Sequence, residues 1–189
     1  MGFSKCQAPL LSHSSHAHRA RPRSLFALTR LQPVKISLAN MLHQKKTPDL
    51  AWTPCIDSLP NDYPSVVLES GYRESDAQLM RDSLAWLQGT DGAVKVVVLC
   101  KTLPPDTDNK IRATLSICRR MGNGQIIRDE WSVFPIPDNS RPDPYITIDE
   151  FFSGSVPARL DQWARLALSL QRLRSVLGGI IQRCGHLTA

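Results

Sequence analysis

No acidic residue precedes Asp49. Residues 1–48 carry eight lysines and arginines and no aspartate or glutamate, whereas the remainder holds 15 basic and 17 acidic residues. The net charge of +6 therefore belongs to the leader. It gives no reason to expect a basic nucleic-acid face on the folded part. No apolar run reaches 18 residues, so the sequence offers no candidate for a membrane-spanning helix. There is no CxxC, and Cys6, Cys55, Cys100, Cys118 and Cys184 lie too far apart for zinc-type spacing. No GxGxxG or Walker loop is present, which removes the usual phosphate-cradling signatures. Beyond the leader the only histidine is His186, so neither a Ser-His-Asp nor a Cys-His arrangement is available.

The leader, residues 1–46, is rich in Ser, His and Arg and broken by Pro22 and Pro33. A mitochondrial transit peptide and a disordered basic arm fit that composition equally well. Its histidines (His13, His16, His18 and His43) have no carboxylate or thiolate partner set and are not read as a metal site. Scattered, unpaired cysteines point to free thiols in a reducing intracellular setting, cytoplasm or nucleus, with mitochondrial import left open by the leader.

The core is expected over 47–156. DLAWTP suggests a short strand, and SVVLES a second that begins after Pro64. A helix is predicted over 75–87, with Ser75 as N-cap and Asp76 in the first turn. Its apolar face runs through Ala77, Met80, Leu84 and Leu87, widened by Leu79 and Trp86. VKVVVLC, 94–100, is apolar enough to be buried on both faces, in the middle of a sheet. Strand, helix and strand then form a right-handed βαβ unit with parallel strands. IRATLSICR, 111–119, alternates as an outer strand would, RMGNGQ reads as a hairpin turn, and IIRDEWSVFPI as the returning strand. YITIDEFF suggests a last short strand. Residues 157–184 carry Trp163, Leu166, Leu170, Leu173, Leu177 and Ile181 at helical spacing. They are read as an amphipathic helix packed on the core and ending near Gly178. Its basic polar face leaves a membrane-surface or partner-docking role open.

The chemistry centres on two carboxylates. Asp49 follows Pro48, and Glu69 closes an apolar strand. Carboxylates on adjacent strands can hold Mg²⁺, which takes hard oxygen ligands and keeps several waters. Such an ion activates water against a phosphodiester, and a neighbouring lysine can stabilise the developing charge. Lys101 is placed at the correct end of its strand for that role, Lys95 at the opposite end. The plainer alternatives stay open: a strand-end acid for Glu69, a turn after proline for Asp49, and competition from Asp57 and Asp62. Lys110, Arg112, Arg119 and Arg120 make a modest basic patch that could meet a nucleic-acid backbone but also fits a solvated face.

The segments PDLAW, VVLESGYRES, LMRDSLAWL and VKVVVL together resemble the restriction-endonuclease-like PD-(D/E)XK nuclease superfamily, and most closely its divergent fungal members. The resemblance covers about residues 47–101 and extends to 150 by element order. It implies a small mixed α/β sheet with flanking helices and a divalent metal, Mg²⁺, bound by Asp49 and Glu69. It also implies a nucleic-acid substrate. Two departures stand out. The family lysine falls at position 71, which is Gly71, so Arg81 becomes a candidate for a basic residue moved to the helix, with Gln78 beside it and Lys101 across the sheet. The acid-bearing helix that opens the family core has no counterpart before Asp49. A noncatalytic interaction domain on the same scaffold is the alternative function.

Overall fold

The computed structural model describes residues 26–27, 34–38, 41–56, 59–60, 63–139 and 141–189. In chain order the elements are β1 (Phe26–Ala27), β2 (Val34–Leu38), β3 (Met41–Lys46), β4 (Leu50–Ile56), β5 (Leu59–Pro60), β6 (Val66–Tyr72) and α1 (Asp76–Gly89). There follow β7 (Val96–Thr102), β8 (Lys110–Ile111), β9 (Ala113–Arg120), β10 (Ile126–Phe134), β11 (Tyr145–Thr147), α2 (Ile148–Phe151), β12 (Arg165–Ala167), α3 (Leu170–Arg183) and β13 (Leu187–Thr188). The main sheet runs β1-β4-β6-β7-β9-β10, with β5 paired to β4. Only β6 and β7 are parallel within it, so the sheet is mixed.

The βαβ unit forms where the sequence places it. β7 is central because Val96, Val97, Val98 and Leu99 are all buried, which only a strand covered on both faces permits. The Ser75 side chain accepts from the Gln78 N–H at 3.1 Å and satisfies a donor that the first turn of α1 leaves over. Thr90 closes the other end: its hydroxyl donates to the Trp86 carbonyl and accepts from the Val94 N–H. The buried face of α1 is Leu79, Ser83, Trp86 and Leu87, rotated from the expected one so that Ala77 faces water.

Two apolar layers sandwich the sheet. On one face α1 covers Val67, Val97, Leu99 and Cys118. On the other, Val66, Val96, Val98 and Ile117 pack with Phe151 and Phe152 of the α2 region and with Leu170 and Ile181 of α3. Burial of this kind is worth about 25 cal/mol per Å² of apolar surface.

Three expectations change. β9 is not an outer strand, since β7 and β10 flank it, and Ser116 and Cys118 are buried. Ser116 meets Arg128 and Glu130, Cys118 joins the apolar layer under α1, and β10 forms the edge. The helix expected over 157–184 occupies only Leu170–Arg183. Before it, β12 pairs with β11, and Trp163 is 72% exposed. Ser169 caps the helix, and the Asp143 carboxylate accepts from the Leu170 N–H at 3.2 Å. Gly178 and Gly179 do not end it, because α3 packs there against β10 and β13. The helix-interior cost of glycine, about 1 kcal/mol each, is offset by that packing. Finally, β1, β2 and β3 fall inside the stretch read as a transit peptide or a disordered basic arm. β1 extends the sheet beyond β4, and β2 lies against α1.

Candidate functional site

The carboxyl ends of β6 and β7 meet the amino end of α1. In an α/β sheet this is where side chains emerge from the strands and where ligands generally bind. The β4–β6 ladder pairs Leu50 with Leu68, so Asp49 stands beside Glu69 one step further on. The β6–β7 ladder pairs Glu69 with Leu99 and Gly71 with Lys101. Three of the four candidate site residues, Asp49, Glu69 and Lys101, are thus brought to one corner of the sheet by register alone.

Their immediate partners differ. Asp49 is exposed, and its Oδ2 accepts from the Ser70 N–H at 2.7 Å and the Ser70 hydroxyl at 2.6 Å. Glu69 is 7% exposed, and its Oε1 accepts from the indole N–H of the fully buried Trp86. A buried carboxylate needs such donors, because an unsatisfied charge in the core costs several kcal/mol, roughly. Both carboxylates are hard oxygen donors of the kind Mg²⁺ takes. Asp57 and Asp62, the competing acids, lie outside the described residues.

Glycine at position 71 has a steric reason. A Cβ on Gly71 would sit 2.9 Å from Leu79 Cδ1 and 3.1 Å from Cδ2. Leu79, at 1% exposure, occupies the space that a side chain would need. The neighbouring cation comes instead from Lys101, in register with Gly71 on β7, with its Nζ 3.6 Å from Asp76 Oδ1. Arg81 is exposed on α1. Its Nη2 donates to Gln78 Oε1, and Gln78 Nε2 donates to Asp82. Those contacts hold Arg81 along the helix surface, away from the ladder that gathers the other three. Lys95 lies at the far end of the sheet, as its place before β7 implies.

A second cluster adjoins this corner and was not singled out from the sequence. Arg128 Nη1 meets Asp76 Oδ2 at 2.8 Å, its Nη2 binds Glu130, and its Nε donates to Ser116 Oγ at 3.0 Å. Ser116 in turn donates to Glu130 at 3.1 Å. The Arg128 hydrogen bond, with further attraction from Arg128 and Lys101, holds the Asp76 carboxyl below its ordinary range against some desolvation. Asp76 in turn raises the Arg128 guanidinium. Lys101, Asp76 and Glu130 also line a cavity of about 130 Å³ with Leu103, Arg112 and Thr114. The available signal was the spacing of Arg128 and Glu130: two residues apart on a strand, they share one face.

Burial pushes the Cys100 and Cys118 thiols up, so both are neutral core groups rather than nucleophiles. Among the described residues no group of three or more His, Cys, Asp or Glu is placed to hold a metal, and no helix is long and apolar enough to cross a membrane. What stands at the sheet corner is Asp49 and Glu69 level with each other on adjacent chain segments, with Lys101 on the next strand. No family model matches the chain, and no curated protein or solved structure matches it either.

Proposed function

We propose that this chain is a restriction-endonuclease-like domain whose Asp49 and Glu69 hold a divalent cation, Mg²⁺, facing a nucleic-acid phosphodiester. The observation that carries the reading is the strand register, which gathers Asp49, Glu69 and Lys101 at one sheet corner. Bound there, Mg²⁺ would polarise a phosphoryl oxygen and make water a better nucleophile. The protein's own residues set the stage. Ser70 orients the Asp49 carboxylate, and Trp86 fixes that of Glu69. Lys101 supplies a cation beside Gly71, the position where the family carries its lysine. Arg81, exposed on α1, is assigned a contact with a phosphate outside the metal centre.

A noncatalytic interaction domain is the second reading. It is favoured by the burial of Glu69 against Trp86 and by Leu79 filling the space over Gly71. Titration calorimetry with Mn²⁺, followed by hydrolysis assays with Mg²⁺ on single- and double-stranded substrates, separates the two. Saturable metal binding lost in Asp49→Ala/Glu69→Ala, with chelator-sensitive hydrolysis, is the expected result. Binding without hydrolysis supports the noncatalytic domain. Identical flat isotherms for wild type and the double variant remove the metal site altogether.

A further inference from the structure

The opposite end of the same sheet face carries an arrangement that neither reading uses. The β7–β9 ladder pairs Val96 with Arg119. One step outward, Lys95 stands directly across from Arg120. Directly opposed residues of an antiparallel pair share a face, with Cβ atoms roughly 5 Å apart, and like charges there are destabilising. Among the described residues neither cation forms an ion pair with a carboxylate. Both line one open cleft of about 250 Å³, with the exposed Met121 in its wall and Leu87 and Val94 buried beneath it. Gly92 and Gly122 complete it. At Gly92 an added Cβ would lie 4.0 Å from the Lys95 Nζ, which places the ammonium over the turn at the cleft's rim.

We infer that this cleft is a binding site for a small organic oxyanion, of the phosphate monoester class. Lys95 and Arg120 would receive the charged group, and Met121, backed by the buried Leu87 and Val94, would receive an apolar body. Three features of the cleft converge on that ligand. Two opposed cations without carboxylate partners call for an anion. The guanidinium offers several N–H donors in a planar fork suited to phosphate oxygens, and the ammonium a point charge. The apolar wall distinguishes the cleft from a purely ionic surface. Lys95 lies four residues along β7 from the position level with Glu69, about 13 Å at roughly 3.3 Å per residue. The site is therefore separate from the candidate metal corner, and the inference does not depend on the nuclease reading.

The test is calorimetric titration of the full chain with phenyl phosphate and with inorganic phosphate at constant ionic strength. Saturable 1:1 binding is expected, with phenyl phosphate the tighter ligand. Lys95→Met/Arg120→Gln should weaken it by about tenfold or more, the scale of losing charge-assisted hydrogen bonds. Arg172→Gln, exposed on α3 across the sheet, should leave it unchanged. Wild type should also melt at a higher temperature in phenyl phosphate than in chloride, a readout that needs no variant. The absence of that shift overturns the inference, as does binding undiminished in the double variant. Equal affinity for the two ligands overturns the role of the apolar wall. A fourth contrary result is a large loss of stability in ligand-free Lys95→Met or Arg120→Gln. It would show that the cations serve the carbonyl end of α1.

Discussion

The two ends of the α1-covered sheet face solve the same electrostatic problem in opposite ways. At the carboxyl end of β6 and β7, Lys101 and Arg128 each have an acid beside them. Lys101 and Arg128 share Asp76, and Arg128 also binds Glu130. Glu69 is held by an indole and Asp49 by a serine. At the amino end of β7, Lys95 and Arg120 face each other, and among the described residues no acid pairs with either. Mutually satisfied charges at one end are what a fixed scaffold for a cation requires. Uncompensated like charges at the other are what an anion would relieve. The strands between them carry an unbroken apolar core, so the ends can be altered separately.

The largest disruption of the carboxylate end should come through Trp86. Trp86→Ala removes a fully buried ring and the donor to Glu69, and is expected to cost about 3–5 kcal/mol by denaturant unfolding. Trp86→Phe keeps most of the volume and isolates the lost hydrogen bond, at about 1–3 kcal/mol. Next comes Gly71→Lys, which sets a long side chain against Leu79. Overpacking should cost about 1–3 kcal/mol, read by the same unfolding, with no gain in metal-dependent hydrolysis while Lys101 remains alongside.

A smaller effect concerns acid stability. Arg128 depresses the Asp76 carboxyl, so the carboxylate contributes stability above the unfolded-state range near pH 4, and this is lost as pH falls through the lower folded value. Asp76→Asn should flatten that part of the profile below about pH 4, and leave the profile above it parallel to wild type. The Asp76 side chain is 55% exposed, so solvent screening keeps the difference below about 1 kcal/mol. Smallest is Ser70→Ala. It removes one of two donors to the exposed Asp49 carboxylate, at about 0.5 kcal/mol, and should weaken Mn²⁺ binding only slightly in calorimetry.

The parts of the fold that were legible in the sequence are those fixed by local signals. The buried run of β7, the Ser75 cap and the RMGNGQ turn each carry their own chemistry, and the βαβ unit follows from them. The misread parts are settled by distant partners. Trp163 and Leu166 fit a helical period, yet the pairing of β12 with β11 takes precedence, and the cap at Ser169 starts the helix later. Thr114 and Ser116 look like the wet face of an outer strand. Ser116 instead meets Arg128 and Glu130, which a hairpin register must first bring opposite. Asp49, Glu69 and Lys101 were legible as residue types at strand ends. The Trp86 contact to Glu69 and the Leu79 packing over Gly71 were not, because both depend on how α1 rotates over the sheet.

The most direct measurement is a Mn²⁺ titration of the ¹⁵N-labelled full chain, followed by paramagnetic broadening of backbone amides. The account predicts broadening strongest at Asp49, Glu69 and Ser70, weaker at the amides of Lys95 and Gly122, and its loss in Asp49→Ala/Glu69→Ala. Broadening centred elsewhere, such as on the Asp106–Asp108 turn, or none at metal excess, would contradict it.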